Sequence, residues 1–138
     1  MTSIPNALAT VSLFSTLSKK ELNRLAQDVH ERTFAAGEVM TAQDEFGSIF
    51  TVIADGRATI TVNGTAVRTL GPGDFFGEMA LIDRTNRRSA TVTADTDLHA
   101  LMLTQPSFRP FAVAHPAVIW TLLEHMVARV RESDSRAV

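Results

Sequence analysis

At 138 residues, with hydrophobic residues making up 45% of the sequence, the chain is long enough to bury the core of one domain. Its formal net charge of −2, with both signs interspersed and no basic run, excludes the electrostatic footprint of a nucleic-acid or anionic-membrane binder. The absence of cysteine excludes disulfides, thiolate chemistry and cysteine-based zinc sites, and leaves a cytoplasmic location as the expectation.

Residues 1 to 18 carry no charged side chain, but Pro5, Asn6, Thr10 and Ser12 interrupt the apolar run and no basic segment leads it, which argues against an export signal. Asn6 can cap a short helix over Ala7 to Val11. Ser18-Lys19-Lys20-Glu21 reads as a capping box, followed by Leu22, Leu25, Ala26 and Val29 at helical spacing. From His30 the period changes to two. Strands are expected over His30 to Phe34, Val39 to Thr41, Ser48 to Ala54, Arg57 to Val62, Ala66 to Leu70, Ala90 to Ala94 and Leu98 to Leu103, with Asn63-Gly64 as a hairpin turn. Short strands with glycine-rich turns indicate a sandwich or jelly roll, giving a mainly β fold with flanking helices.

Helices return after Gln105-Pro106, first over Ser107 to Val113 and then from Pro116 onward. Ile119, Leu122, Leu123, Met126, Val127 and Val130 form one apolar stripe on the second, expected to pack in the core together with Trp120. Glu124, Arg129, Arg131 and Glu132 take the rest of its surface. The uncharged run from Pro110 to Leu123 is too short to span a bilayer, so no membrane partner is expected. Only the last few residues, Ser133 to Val138, read as a frayed tail.

The stretch from Phe75 to Val92 carries the functional signal. Gly77 can take backbone angles closed to other residues, and Glu78 to Ile82 make about one helical turn, so free N–H groups and a partial positive charge stand at its start. A compact anion fits there. Ten positions after Glu78, Arg88 precedes the β-type run Ser89 to Val92, and its planar fork suits a phosphate. Glu78 beside an anion makes sense where its carboxylate accepts from a sugar hydroxyl. Glutamate and arginine together suggest a ribose-phosphate.

These residues resemble the phosphate-binding cassette of the cyclic nucleotide-binding domain family, F-G-E-x-A-L, a variable loop, then R-[ST]-A. Phe76, Gly77, Glu78, Ala80, Leu81, Arg88, Ser89 and Ala90 match it, with the spacing of the catabolite-activator branch. The opening LFSTLSKKELNRLA resembles the same family's helical lead-in. The resemblance implies a jelly roll (double-stranded β-helix) in a single domain over 1–138, with N-terminal helices in 1–29, the roll in 30–104, the cassette in 75–92 and C-terminal helices in 105–138. It also implies a cyclic nucleotide ligand, cAMP ahead of cGMP, held by Gly77, Glu78, Met79, Ala80, Arg88 and Ser89, with Val67 and Leu70 as pocket walls. The last helix would close over the purine or pair with a second subunit. The family often has proline before the arginine where this chain has Arg87; the pattern selects Arg88 for the phosphate and leaves Arg84 and Arg87 as solvated loop charges.

Other chemistry is not expected. The four histidines, His30, His99, His115 and His125, form no H-x-H pair, and there is no G-x-S-x-G elbow, P-loop or HExxH, so neither a metal, a cofactor nor an enzyme activity is anticipated. No recognition helix follows the long helix, and DNA binding is not expected. The function expected is that of a sensor module, with a homodimer or a separate effector as partner. The alternative is a degenerate cassette kept in an interaction or dimerisation domain.

Overall fold

The structure, a computed structural model, describes residues 3–45, 47, 49–83 and 87–137. Among these, eight strands form two four-stranded antiparallel sheets. One has the order β1 (His30–Phe34), β8 (Leu98–Thr104), β3 (Ile49–Asp55), β6 (Phe75–Phe76); the other has β2 (Val39–Thr41), β7 (Thr91–Ala94), β4 (Ala58–Val62), β5 (Thr65–Leu70). This is the jelly roll. Helices α1 (Ile4–Ala9) and α2 (Lys19–Ala26) precede it, and α3 (Gln105–Ala114) and α4 (Pro116–Ala137) follow.

Side-chain alternation lets one sheet serve two cores. Ile53, Leu98 and Ala100 turn inward to meet Phe34, Ala58, Leu70, Phe76, Val92 and Ala94. Phe50, Val52, Leu101 and Leu103 turn outward to the helical layer of Leu8, Leu13, Phe14, Leu25, Phe111 and Leu122. A strand buried on both faces has to be apolar almost throughout, and that is how β3 reads. At the hairpin tip Asn63 and Gly64 both have positive φ, 51° and 81°, as the primed turn requires.

Two helix starts differ from the sequence reading. Helix α1 begins at Ile4 rather than after Asn6, because the Ser3 hydroxyl accepts from the Asn6 N–H at 3.3 Å and Pro5 fits the first turn, where no N–H is needed. Helix α3 begins at Gln105 because Thr104 accepts from the Ser107 N–H at 3.4 Å. The capping box of α2 forms as expected: Glu21 N–H donates to Ser18 Oγ at 3.2 Å and Ser18 N–H to Glu21 Oε1 at 2.8 Å. The other Glu21 oxygen lies 2.7 Å from His115 Nε2, tying α2 to the elbow where α3 and α4 bend by 114°. Ser18→Ala is expected to lower stability by about 1 kcal/mol in urea unfolding; an unchanged midpoint would mean that the cap contributes nothing.

Helix α4 packs less of itself than its stripe suggested. Val118 and Leu122 are buried and Met126 partly so, whereas Ile119, Leu123, Val127 and Val130 are exposed. Trp120, expected in the core, is 65% exposed. The face laid on the roll follows Val118, Leu122 and then His125 and Arg129, a helical spacing that runs beside the stripe rather than along it. No single helix among the described residues is long and apolar enough to cross a membrane.

Candidate functional site

Strand β6 runs directly into Gly77, whose φ of +81° is left-handed. A Cβ there would meet the Ile49 carbonyl oxygen at 2.6 Å and collide with the Arg88 guanidinium, so only glycine lets the chain turn here. A 3-10 turn over Glu78–Leu81 follows, pinned by buried Leu81. It leaves the Glu78 residue 1% exposed, at the floor of a cavity.

Arg88 reaches that floor from the far side of the loop. Its N–H donates to the Glu45 carbonyl at 2.8 Å and its carbonyl accepts from the Asp44 N–H at 2.8 Å, so the main chain is clasped on both sides. The side chain is turned inward with the residue 8% exposed, and Nη2 donates to the Ile49 carbonyl at 2.6 Å. Its buried Nε has no hydrogen-bond partner among the described residues. Burial lowers the guanidinium below its ordinary pKa, and the Glu78 carboxylate opposes the shift. Arg87 points the other way, exposed, donating to the Asp44 carbonyl at 3.0 Å. Arg84 lies outside the described residues.

The cavity, about 780 Å³, is bounded by the cassette, the β4–β5 hairpin and α4. Gly77, Glu78, Met79, Arg88, Ser89 and Val67 all line it. Leu70 does not. It pairs with Ala58, two residues along the ladder from the cavity-lining pair Ile60 and Arg68, and is sealed in the packed inner core at 1% exposure. Ala80 lies on the cassette turn, and its side chain is outside what the structure describes. A second concavity, about 350 Å³, is a groove along α4 lined by Trp120, Leu123, Glu124, Val127, Ala128 and Arg131, with no residue of the cassette. Among the described residues no cluster of three or more histidines and carboxylates could hold a metal ion.

The sequence pattern of the cyclic nucleotide-binding domain matches residues 31–115, more than half of the chain. The chain belongs to the cyclic nucleotide-binding domain family. It is similar to the cAMP-dependent protein kinase regulatory subunit of Schizosaccharomyces pombe, 37% identical over 102 residues that cover 73% of this chain and 24% of that protein. It is also similar to a cyclic nucleotide-gated potassium channel of Rhizobium etli, 34% identical over 122 residues, 88% of this chain and 34% of the channel. The catabolite activator protein of Thermus thermophilus superposes with a TM-score of 0.83 at 27% identity, covering 91% of this chain and 61% of that one. The chain therefore spans about a quarter to a third of the two curated relatives.

In this cyclic nucleotide-binding domain, α4 supplies two groups that the sequence reading did not assign to the site. Arg129 Nη1 donates to Glu78 Oε1, and His125 Nε2 lies 3.7 Å from the same oxygen with its ring 4.8 Å from that of Phe75. The available signal was the helical spacing Leu122, His125, Arg129, which follows the packed face. Arg68 on β5 also lines the cavity.

Burial lowers the His125 pKa below its ordinary 6.5; Arg129 and Arg68 add to the shift and Glu78 opposes it. The folded chain then holds this proton more weakly than the unfolded chain, so acid favours unfolding. This contribution to stability is whole above pH about 6.5 and is lost as pH falls from there through the lowered folded value. The drop in melting temperature between pH about 7.5 and about 5.5 is expected to be smaller in His125→Gln than in the parent; equal drops would contradict it.

Proposed function

We propose that the cavity binds cAMP, with Arg88 and Ser89 on the cyclic phosphate, Glu78 on the ribose 2′-hydroxyl, and main-chain N–H groups from Gly77 through Met79 to Ala80 on the remaining phosphate oxygens. Val67 serves as a wall for sugar and base. The observation that carries the reading is the buried, unpartnered Arg88 Nε beside a buried carboxylate. Buried polar atoms are nearly always paired, and a phosphate oxygen in the cavity supplies the missing acceptor. Charge agrees: the lining holds Arg68, Arg88 and Arg129 against Glu78 and Glu132, one positive charge in excess, and a cyclic phosphodiester carries one negative charge.

The module acts as a cytoplasmic sensor whose C-terminal helices shift population when the cavity fills. Two ties support this coupling. Gln105, buried at the start of α3, donates to the Ile82 carbonyl at the end of the cassette turn at 3.2 Å, and Arg129 of α4 holds Glu78. A melting experiment tests the reading: cAMP at about 100 times its dissociation constant adds roughly 2.7 kcal/mol of stability, while 5′-AMP, which lacks the ring, adds much less. No shift with millimolar cAMP refutes it.

A second reading, dimerisation through α4, is favoured by the exposed line Trp120, Leu123, Val127 and Val130, at the three-four spacing of a helix seam. Sedimentation over a range of micromolar concentrations tests it; a monomer throughout removes it.

A further inference from the structure

We infer that Gln43, which lies outside the cavity, is a positioning residue for nucleotide binding: its side-chain amide holds the tip of the β4–β5 hairpin in place as a wall of the pocket. The inference rests on the nucleotide-binding reading above. Ile60, Val62 and Val67 of that hairpin line the cavity. Apolar walls of this kind contribute to binding only while they stay packed against the ligand.

The hairpin has little of its own to keep it there. Strand β4 pairs with β7 only from Ala58 to Thr61, and β5 is the edge of its sheet, exposed from Thr65 to Thr69. Ile60 pairs with Arg68 but Thr61 pairs with Ala66, so Val67 is the extra residue of a β-bulge, which interrupts the ladder. Beyond Thr61 the chain is thus a two-stranded ribbon, a structure of marginal stability in water.

Gln43, in the loop between β2 and β3, supplies the outside support. Its Oε1 accepts from the Asn63 N–H at 2.8 Å, and its Nε2 donates to Asn63 Oδ1 at 2.8 Å. A main-chain N–H can only donate, which fixes the amide oxygen toward it and the amide nitrogen toward the Asn63 side chain. The other end of the tie is anchored as well. The Gln43 N–H donates to Thr91 Oγ1 at 2.9 Å, and the next two residues, Asp44 and Glu45, clasp the main chain of Arg88. Residues 43 to 45 therefore hold the pocket wall and the arginine assigned to the phosphate from one loop. Cutting the amide tie frees the wall and leaves the arginine clasped.

Three substitutions separate the tie from packing and from charge. Gln43→Ala removes both bonds. Gln43→Glu keeps the shape but sets an oxygen against Asn63 Oδ1. Asn63→Asp adds the same charge at the same place, yet keeps an acceptor for Nε2 and tolerates the positive φ. In titration calorimetry at neutral pH, Gln43→Ala and Gln43→Glu are each expected to weaken cAMP about fivefold, the loss for hydrogen bonds of ordinary net strength; Asn63→Asp keeps the affinity of the parent. Amide hydrogen exchange is expected to quicken over residues 62–67 in both Gln43 variants and to stay unchanged across the cassette turn. Parent-like affinity in either Gln43 variant, or a loss in Asn63→Asp equal to that in Gln43→Glu, would overturn the assignment while leaving nucleotide binding intact. Exchange that quickens in the cassette too would also overturn it, since the loss then comes from general loosening. A parent that does not bind cAMP overturns both the assignment and the reading beneath it.

Discussion

Arg88→Ala is expected to weaken cAMP binding by about 2 to 5 kcal/mol, because it strands a phosphate charge in a buried site without its partner. The geometry makes the loss large. Arg88 is held by main-chain bonds at Asp44 and Glu45 and by the Ile49 carbonyl, so its side chain reaches the cavity already fixed. Little conformational freedom is left to lose on binding. The fold does not depend on the side chain in the same way: the main-chain clasp survives alanine, and a desolvated guanidinium with an unpartnered Nε is a cost to the ligand-free chain. Titration calorimetry should therefore show a severe loss of affinity beside an intact melting transition. Unchanged affinity would remove Arg88 from the phosphate.

Glu78→Ala is expected to cost about 1.5 to 3 kcal/mol of cAMP affinity, the range for a hydrogen bond to a charged group. Stability will change too, since Glu78 is buried and ion-paired with Arg129, so the affinity loss needs a second measurement to assign it. That measurement is 2′-deoxy-cAMP. One Glu78 oxygen is engaged by Arg129, and under the proposed function the carboxylate accepts from the ribose hydroxyl as well. Removing the hydroxyl should then cost the parent about 1.5 to 3 kcal/mol and the variant almost nothing, a coupling that general loosening of the cassette would not produce. Equal costs in both proteins would take the sugar away from Glu78.

The fold was legible because its signals are local. The capping box at Ser18, the Asn63-Gly64 turn and the alternation in β8 each fix a conformation within a few residues, and β3 announced burial on both faces by its near-continuous apolar run. The cassette was legible for a related reason: Gly77 and Glu78 adjoin, and strand geometry forbids Arg87 and Arg88 to share a direction. What could not be read is what α4 brings. Glu78 and Arg129 are 51 residues apart, and only the angle at which α4 lies on the roll decides that His125 and Arg129 face the cavity while Trp120 faces out. The bulge at Val67 was equally hidden, since it appears only in the pairing of β4 with β5. Leu70 failed as a wall for a simpler reason. Its ladder partner is Ala58, and the packed inner core claimed both.

The central claim is that one buried arginine and one buried glutamate divide a cyclic ribose-phosphate between them. A crystal structure of the protein grown with cAMP tests it most directly. The cyclic phosphate is expected on Arg88 and Ser89, with the ribose hydroxyl on Glu78. A cavity that stays empty at saturating cAMP, or a nucleotide seated with its phosphate away from Arg88, would contradict it.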